Sequence, residues 1–199
     1  MKDFVKDLLH NQVAISLALF TREIWLNPRA MGAACPSAPA LASSMASWVP
    51  LNQEGIVLEL GGGTGAVTDA LLKHGVPPWK LVVVERSPNL ARHLDRKFPQ
   101  LQVIQGDAAV LVELLGAHDC AHTVNSIVSS LPLRSLPPAV TCAISNQFQT
   151  LLKPGGLLLQ YTYDLRGIHN DFLVGFRQVS RKIVWRNLPP ARIEVLERI

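Results

Sequence analysis

From residue 56 onward the chain alternates short apolar runs with segments in which apolar residues recur every three or four positions. The first pattern buries both faces of a short strand; the second buries one stripe of a helix. The runs at 56–60, 81–85, 101–104, 124–129 and 156–163 predict five strands, with helices between them. Ser87-Pro88 supplies an N-cap and a first-turn proline, Gly75 and Gly116 supply helix stops, and Val140, Ile144, Phe148 and Leu151 form the core stripe of the helix before Pro154-Gly155-Gly156. Such alternation predicts βαβ units, hence an α/β fold around a mostly parallel sheet. Segments 178–186 and 191–198, joined by Asn187-Leu188-Pro189-Pro190, predict a terminal antiparallel pair.

The upstream part is patterned differently. Phe4, Leu8, Ile15 and Leu19 lie on one stripe, with Val5, Leu9, Val13 and Phe20 beside it, which predicts an amphipathic helix over 1–26 that Asn27-Pro28 ends. A second helix is expected over 39–48, and 50–55 form a link. The reading is a helical extension over 1–50, suited to a membrane surface or to covering a pocket, followed by one domain over 51–199. A chain of 199 residues has room for one such core.

Composition changes this picture modestly. Charged residues make up 17% of the chain, against about 25% in typical soluble proteins, so some apolar surface is expected to meet a partner. The net charge of +4 favours an anionic surface, phospholipid or nucleic acid, without choosing between them. Cys35, Cys120 and Cys142 have no metal-ligand spacing and are expected reduced, in or near the core; no metal site is expected. Asp3 and Asp7 interrupt the basic start, so no signal peptide is read there, and the run 13–20 is far shorter than the roughly 20 residues that span a bilayer. The expected location is the cytoplasm, with peripheral attachment to the inner face of the membrane.

The chemistry concentrates in Leu58-Glu59-Leu60-Gly61-Gly62-Gly63-Thr64-Gly65, where the first strand gives way to a helix. Glycines at such a junction let the backbone approach a ligand. Glu85 ends the next strand 20 residues after Gly65, where a carboxylate accepts hydrogen bonds from the two ribose hydroxyls of a nucleoside. Glu59 followed by Gly61, Gly63 and Gly65 resembles motif I of class I S-adenosylmethionine methyltransferases. The resemblance implies a Rossmann-like fold with a mostly parallel seven-stranded sheet, an antiparallel terminal strand and helices on both faces. It implies S-adenosylmethionine as cofactor and S-adenosylhomocysteine as product, with Glu59, Gly61, Gly63, Gly65, Glu85, Arg86, Asp107, Ala108 and Ser129 in the cofactor site. Within it, Glu85 matches the ribose acid, Gly106-Asp107-Ala108 the adenine loop, and Ser129-Ser130-Leu131-Pro132-Leu133 the motif beside the reactive methyl.

Two subfamilies compete for the substrate. Ribosomal RNA adenine N6-methyltransferases carry Asn-Leu-Pro-aromatic after strand four; here that place reads Ser130-Leu131-Pro132-Leu133, without the Asn or the stacking ring. The chain more closely resembles bacterial phospholipid N-methyltransferases, through Asn27 to Ala42, Glu59 to Gly65, Ser129 to Leu133 with Leu136-Pro137, and Gln160-Tyr161-Thr162-Tyr163. Asn125, where that family commonly has an acid, and Asp164-Leu165-Arg166 depart from its pattern. The implied reaction carries phosphatidylethanolamine toward phosphatidylcholine by in-line methyl transfer at an anionic membrane surface, with a phospholipid and no nucleic acid as partner. Tyr161, Tyr163 and Ser130 are the residues implied at the amine. A nucleoside-binding module without enzymatic activity is a third reading.

Overall fold

The computed structural model describes residues 39–118, 124–166 and 173–199. The helix expected over 1–26 lies outside them, as do Cys35 and Cys120.

The strands are β1 (Ile56–Leu60), β2 (Leu81–Glu85), β3 (Gln102–Gln105), β4 (Val124–Ser129), β5 (Leu152–Thr162), β6 (Phe176–Val184) and β7 (Ala191–Arg198). The described helices are α1 (Pro39–Ala46), α2 (Ala66–His74), α3 (Pro88–Lys97), α4 (Leu111–Ala117) and α5 (Pro138–Leu151). Among the described residues all seven strands form one sheet in the order β3-β2-β1-β4-β5-β7-β6. Only β7 runs against the rest, pairing with β5 on one side and β6 on the other. β1, β2 and β4 read as unbroken apolar runs apart from a few polar positions, because both faces of a central parallel strand are covered.

Two apolar layers sandwich the sheet. On one face Leu58, Leu60, Ile127 and Leu158 meet Leu111 of α4 and Val140, Ile144 and Phe148 of α5. On the other, Val57, Val83, Val128 and Leu159 meet Leu41 and Met45 of α1 and Val67 and Leu71 of α2. Residue 50 marks a change of sequence pattern, but α1 before it is buried in the same core as the sheet.

Several expected boundaries move. β5 begins at Leu152 rather than residue 156: Pro154-Gly155-Gly156 is carried inside the strand as an irregularity, with the register against β4 shifting between Val124 and Ser126. Positive φ at Gly155, 82°, accommodates the bend. Gly75 does end α2, at φ 110°, whereas Gly116 lies inside α4 and His118 follows as the cap. Ser87 precedes Pro88 at the start of α3, but its hydroxyl makes no capping bond. Strand β3 starts one residue later than expected, and β6 spans Phe176–Val184 rather than 178–186. Cys142 is exposed on α5, not in the core.

On β7, Arg192 and Glu194 are buried together, at 2% and 4% exposure, with a 2.6 Å bond from Arg192 Nη2 to Glu194 Oε1. They stand opposite Thr162 and Gln160 of β5. No helix among the described residues is long and apolar enough to cross a membrane.

Candidate functional site

The five parallel strands β1 to β5 end at one edge, and the order reverses beside β1, with β2 and β3 to one side and β4 and β5 to the other. The crevice at such a reversal is where open α/β sheets take ligands. The loops that leave β1 and β4 diverge from paired strand ends: Gly61 N–H donates to Val84 O (2.8 Å), and Ser130 N–H to Leu60 O (2.9 Å). A Cβ on Gly61 would lie 3.3 Å from Leu131 Cδ2, so the two loops are already in contact.

The glycines after β1 do separate jobs. A Cβ on Gly62 would stand 2.6 Å from Val83 Cγ1 and 2.9 Å from Leu94 Cδ1, so this glycine lets the loop settle on β2 and α3. The sequence motif gave it no role of its own. Gly65, at φ 83°, caps α2 with its Cα turned toward Phe98, whose Cε2 is 2.5 Å from where a Cβ would be. Gly63, at φ 56°, faces open space, with nothing nearer to a Cβ than Gly61 O at 3.9 Å. It is the point of the loop where another molecule can lie against bare backbone.

Glu85 is locked to that point. Its Oε2 accepts from Gly63 N–H at 3.0 Å and its Oε1 from Ser87 N–H at 2.8 Å, with the residue 7% exposed. Each oxygen keeps acceptor capacity, so the group can still receive two hydroxyl hydrogens. Beyond β3, Asp107 accepts from Ala109 N–H (2.9 Å) and lies 3.4 Å from Arg86 Nε. The sequence placed Arg86 and Asp107 in the site as separate contacts; the fold makes them partners, with Ala108 buried beside them.

Glu59, next to last in β1, is fully buried, and neither carboxylate oxygen closes a hydrogen bond. Burial raises its pKa from 4.5 to about 7; Thr68 of α2, near but not in good bonding geometry, pulls it back in part, and Glu85 adds to the rise. An isolated carboxylate in this position is suited to a cationic neighbour, which would restore its charge.

At the end of β4, Ser129 is fully buried and its Oγ accepts from Leu131 N–H at 3.4 Å. Ser130 Oγ is buried without a hydrogen bond. Opposite Ser129 stands Gln160, which donates from Nε2 to Leu131 O (2.9 Å) and Tyr161 O (2.7 Å) and so ties the β4 loop to β5. The sequence quoted Gln160 within a motif without giving it this task; a lone amide after Leu157-Leu158-Leu159 was the available signal. Tyr161 and Tyr163 do share a face, as their spacing requires. Their rings meet edge to face at 5.7 Å, half-buried on the side that α1 and α2 cover. Alternation from Val57 puts Glu59 on that same side.

A family model described as a methyltransferase domain matches residues 57–156, half of the chain. Ornithine lipid N-methyltransferase of Singulisphaera acidiphila is 28% identical over 177 residues, covering 87% of this chain and 91% of that protein. A probable ribosomal RNA small subunit methyltransferase A of Natronomonas pharaonis is 47% identical over 58 residues only, 20% of its length. Among solved structures, Burkholderia thailandensis 1,6-didemethyltoxoflavin-N1-methyltransferase, determined with S-adenosylhomocysteine, superposes with a TM-score of 0.67 at 15% identity over 95% of this chain and 89% of its own. Thermus thermophilus TrmN gives 0.64 at 18% identity over 81% of this chain, which spans 49% of that larger protein.

Proposed function

The chain belongs to the methyltransferase-domain family and uses S-adenosylmethionine, and from that premise we propose that it methylates the amine of a lipid headgroup at the inner surface of the cytoplasmic membrane. What carries the lipid assignment is the extent of the likeness to ornithine lipid N-methyltransferase, which spans nearly the whole of both chains, whereas the ribosomal RNA likeness stops at 58 residues. The absence of the Asn-Leu-Pro-aromatic sequence at Ser130 to Leu133 points the same way. The phosphatidylethanolamine headgroup implied by the sequence motifs and the ornithine headgroup of the relative are both zwitterionic amines.

The residues present fit the cofactor. Gly63 offers open backbone, Glu85 a fixed carboxylate for the sugar hydroxyls, Asp107 an acceptor for the adenine amino group, and Glu59 a buried, unpaired acid for a cationic portion. When bound, S-adenosylmethionine supplies an electrophilic methyl on a sulfonium. The chain's own task is to align an amine with it and keep water out.

Ser130 and the Leu131 carbonyl, braced by Gln160, line the approach from β4. The half-buried faces of Tyr161 and Tyr163 desolvate the amine, which lowers its pKa and frees the lone pair, and then hold the methylated ammonium by cation-π attraction. The proton leaves through a tyrosine hydroxyl or water.

The test is incubation of the protein with methyl-labelled S-adenosylmethionine and, in separate reactions, vesicles containing phosphatidylethanolamine, vesicles containing ornithine lipid, and ribosomal RNA. Label is expected in one of the lipids. Label in RNA alone would overturn the proposal.

A further inference from the structure

The turn that joins β6 to β7 inverts the usual distribution of side chains. Asn187, the polar residue at its centre, is 3% exposed, with Nδ2 donating to Pro189 O at 2.6 Å and its N–H to Val184 O at 3.3 Å. Trp185 and Leu188 on either side are 70% and 84% exposed. The amide thus fixes the turn from within while two large apolar groups project outward. Leaving them in water costs hydrophobic free energy with no return among the described residues.

The charges around the turn have one sign. From Phe176 to Ile193 the sequence contains five arginines and lysines and no acid. Arg177 is engaged by Glu197, and Arg192 is buried with Glu194. Arg181, Lys182 and Arg186 are exposed, and none of the three makes an ion pair among the described residues.

Position gives the patch its meaning. Because Arg192 pairs with Thr162 and Ala191 with Val184, the turn emerges beside the C-terminal end of β5. That is the edge carrying Gly63, Glu85, Ser130 and the tyrosine pair. Trp79 is equally bare, at 79%, but immediately precedes β2 and so lies at the opposite edge.

We propose that the β6–β7 turn is a membrane-docking tip: Trp185 and Leu188 enter the headgroup layer of an anionic bilayer while Arg181, Lys182 and Arg186 rest on its phosphates. A ring and an aliphatic side chain flanked by cations match the chemistry of that layer, apolar below and anionic above. Docked this way, the tip turns the site edge toward the headgroups. The inference builds on the lipid-amine reading, since it explains how that edge would meet a substrate embedded in a membrane.

The experiment uses the full chain and vesicles of mixed phosphatidylglycerol and phosphatidylethanolamine. Two variants are compared with the parent: Trp185→Ser with Leu188→Ser, and Arg181→Gln with Lys182→Gln and Arg186→Gln. S-Adenosylhomocysteine binding by calorimetry is expected to be unchanged in both, which establishes that the fold is intact. Each variant is expected to lose at least about tenfold in vesicle co-sedimentation, and only the second to lose most of its dependence on salt. Transfer to lipid in vesicles should fall in parallel, while transfer to lipid dispersed in detergent stays at the parental rate. Parental sedimentation by both variants would overturn the docking role, as would losses confined to RNA binding. A parent that binds vesicles through this tip but methylates no lipid in any form would instead overturn the substrate assignment and leave the tip standing.

Discussion

Replacing Glu85 by Ala probes the proposed contact of its carboxylate with the sugar of the cofactor, beside the open glycine. The carboxylate sits 7% exposed at the tip of β2, aimed by N–H groups at 3.0 and 2.8 Å, so it needs no reorganisation to receive two hydroxyls. Hydrogen bonds to a charged acceptor contribute about 1.5–3 kcal/mol each. Two of them amount to about 3–6 kcal/mol, or roughly two to four orders of magnitude in affinity. The lower end is expected, because the Gly63 and Ser87 N–H groups, once released, can bond to water or to the ligand itself. Titration calorimetry with S-adenosylhomocysteine reads the loss directly, with thermal melting as the check on folding. Glu85→Gln should fare little better, since its amide NH2 must face one of the two N–H donors. A folded Glu85→Ala protein that binds within about threefold of the parent would show that the carboxylate serves only to hold the loop.

Glu59 makes stability depend on pH. With its pKa raised from 4.5 to about 7, it is protonated in both folded and unfolded chains below pH 4.5 and costs nothing there. As pH climbs from 4.5 to 7 the unfolded chain ionises first, so stability falls, reaching a penalty of about 3 kcal/mol above pH 7. Glu59→Gln should therefore gain on the ligand-free parent by about 2 kcal/mol between pH 5 and pH 8 in chemical denaturation; a constant difference would refute the burial argument. Gly62→Ala should destabilise the fold by about 1–3 kcal/mol through its clash with Val83 and Leu94. Gly63→Ala should cost about 1–2 kcal/mol of backbone strain yet bind cofactor far more weakly; if calorimetry instead ranks Gly62→Ala as the worse binder of the two, the open face has been misplaced. Deleting residues 1–22 is expected to reduce vesicle co-sedimentation and activity while the core stays folded, and unchanged sedimentation would remove the membrane role of that segment.

The parallel strands were legible because two-sided burial leaves an apolar run with almost no polar interruption, as in Leu81 to Glu85. The start of β5 was hidden because Pro154-Gly155-Gly156 has the composition of a break, and only pairing with β4 reveals that the strand continues through it. Among the candidate site residues, spacing singled out Gly63 and Glu85, which the fold joins by a hydrogen bond, and put Tyr161 and Tyr163 on one face. It could not distinguish Gly62, whose neighbours Val83 and Leu94 come from distant segments, from its open companion. Nor could it join Arg86 to Asp107, or show that Glu59 is left without a partner. Those are properties of contacts made between elements. The exposure of Trp185 and Leu188 belongs with them, since an apolar residue beside a strand is read by default as core.

The place of β7 also decides which strand edges lie bare whenever it is not paired. It is later in the chain than both strands it joins, so until it arrives β6 has no hydrogen-bonded neighbour and β5 presents a bare flank. A nascent or partly unfolded molecule would therefore expose the unpaired backbone of Leu157 to Thr162 to any passing strand. Closing that gap also requires Arg192 and Glu194 to leave water together. Holding the chain short of that pairing, by truncation or by mutating the buried pair, should therefore yield aggregates rather than a smaller soluble protein.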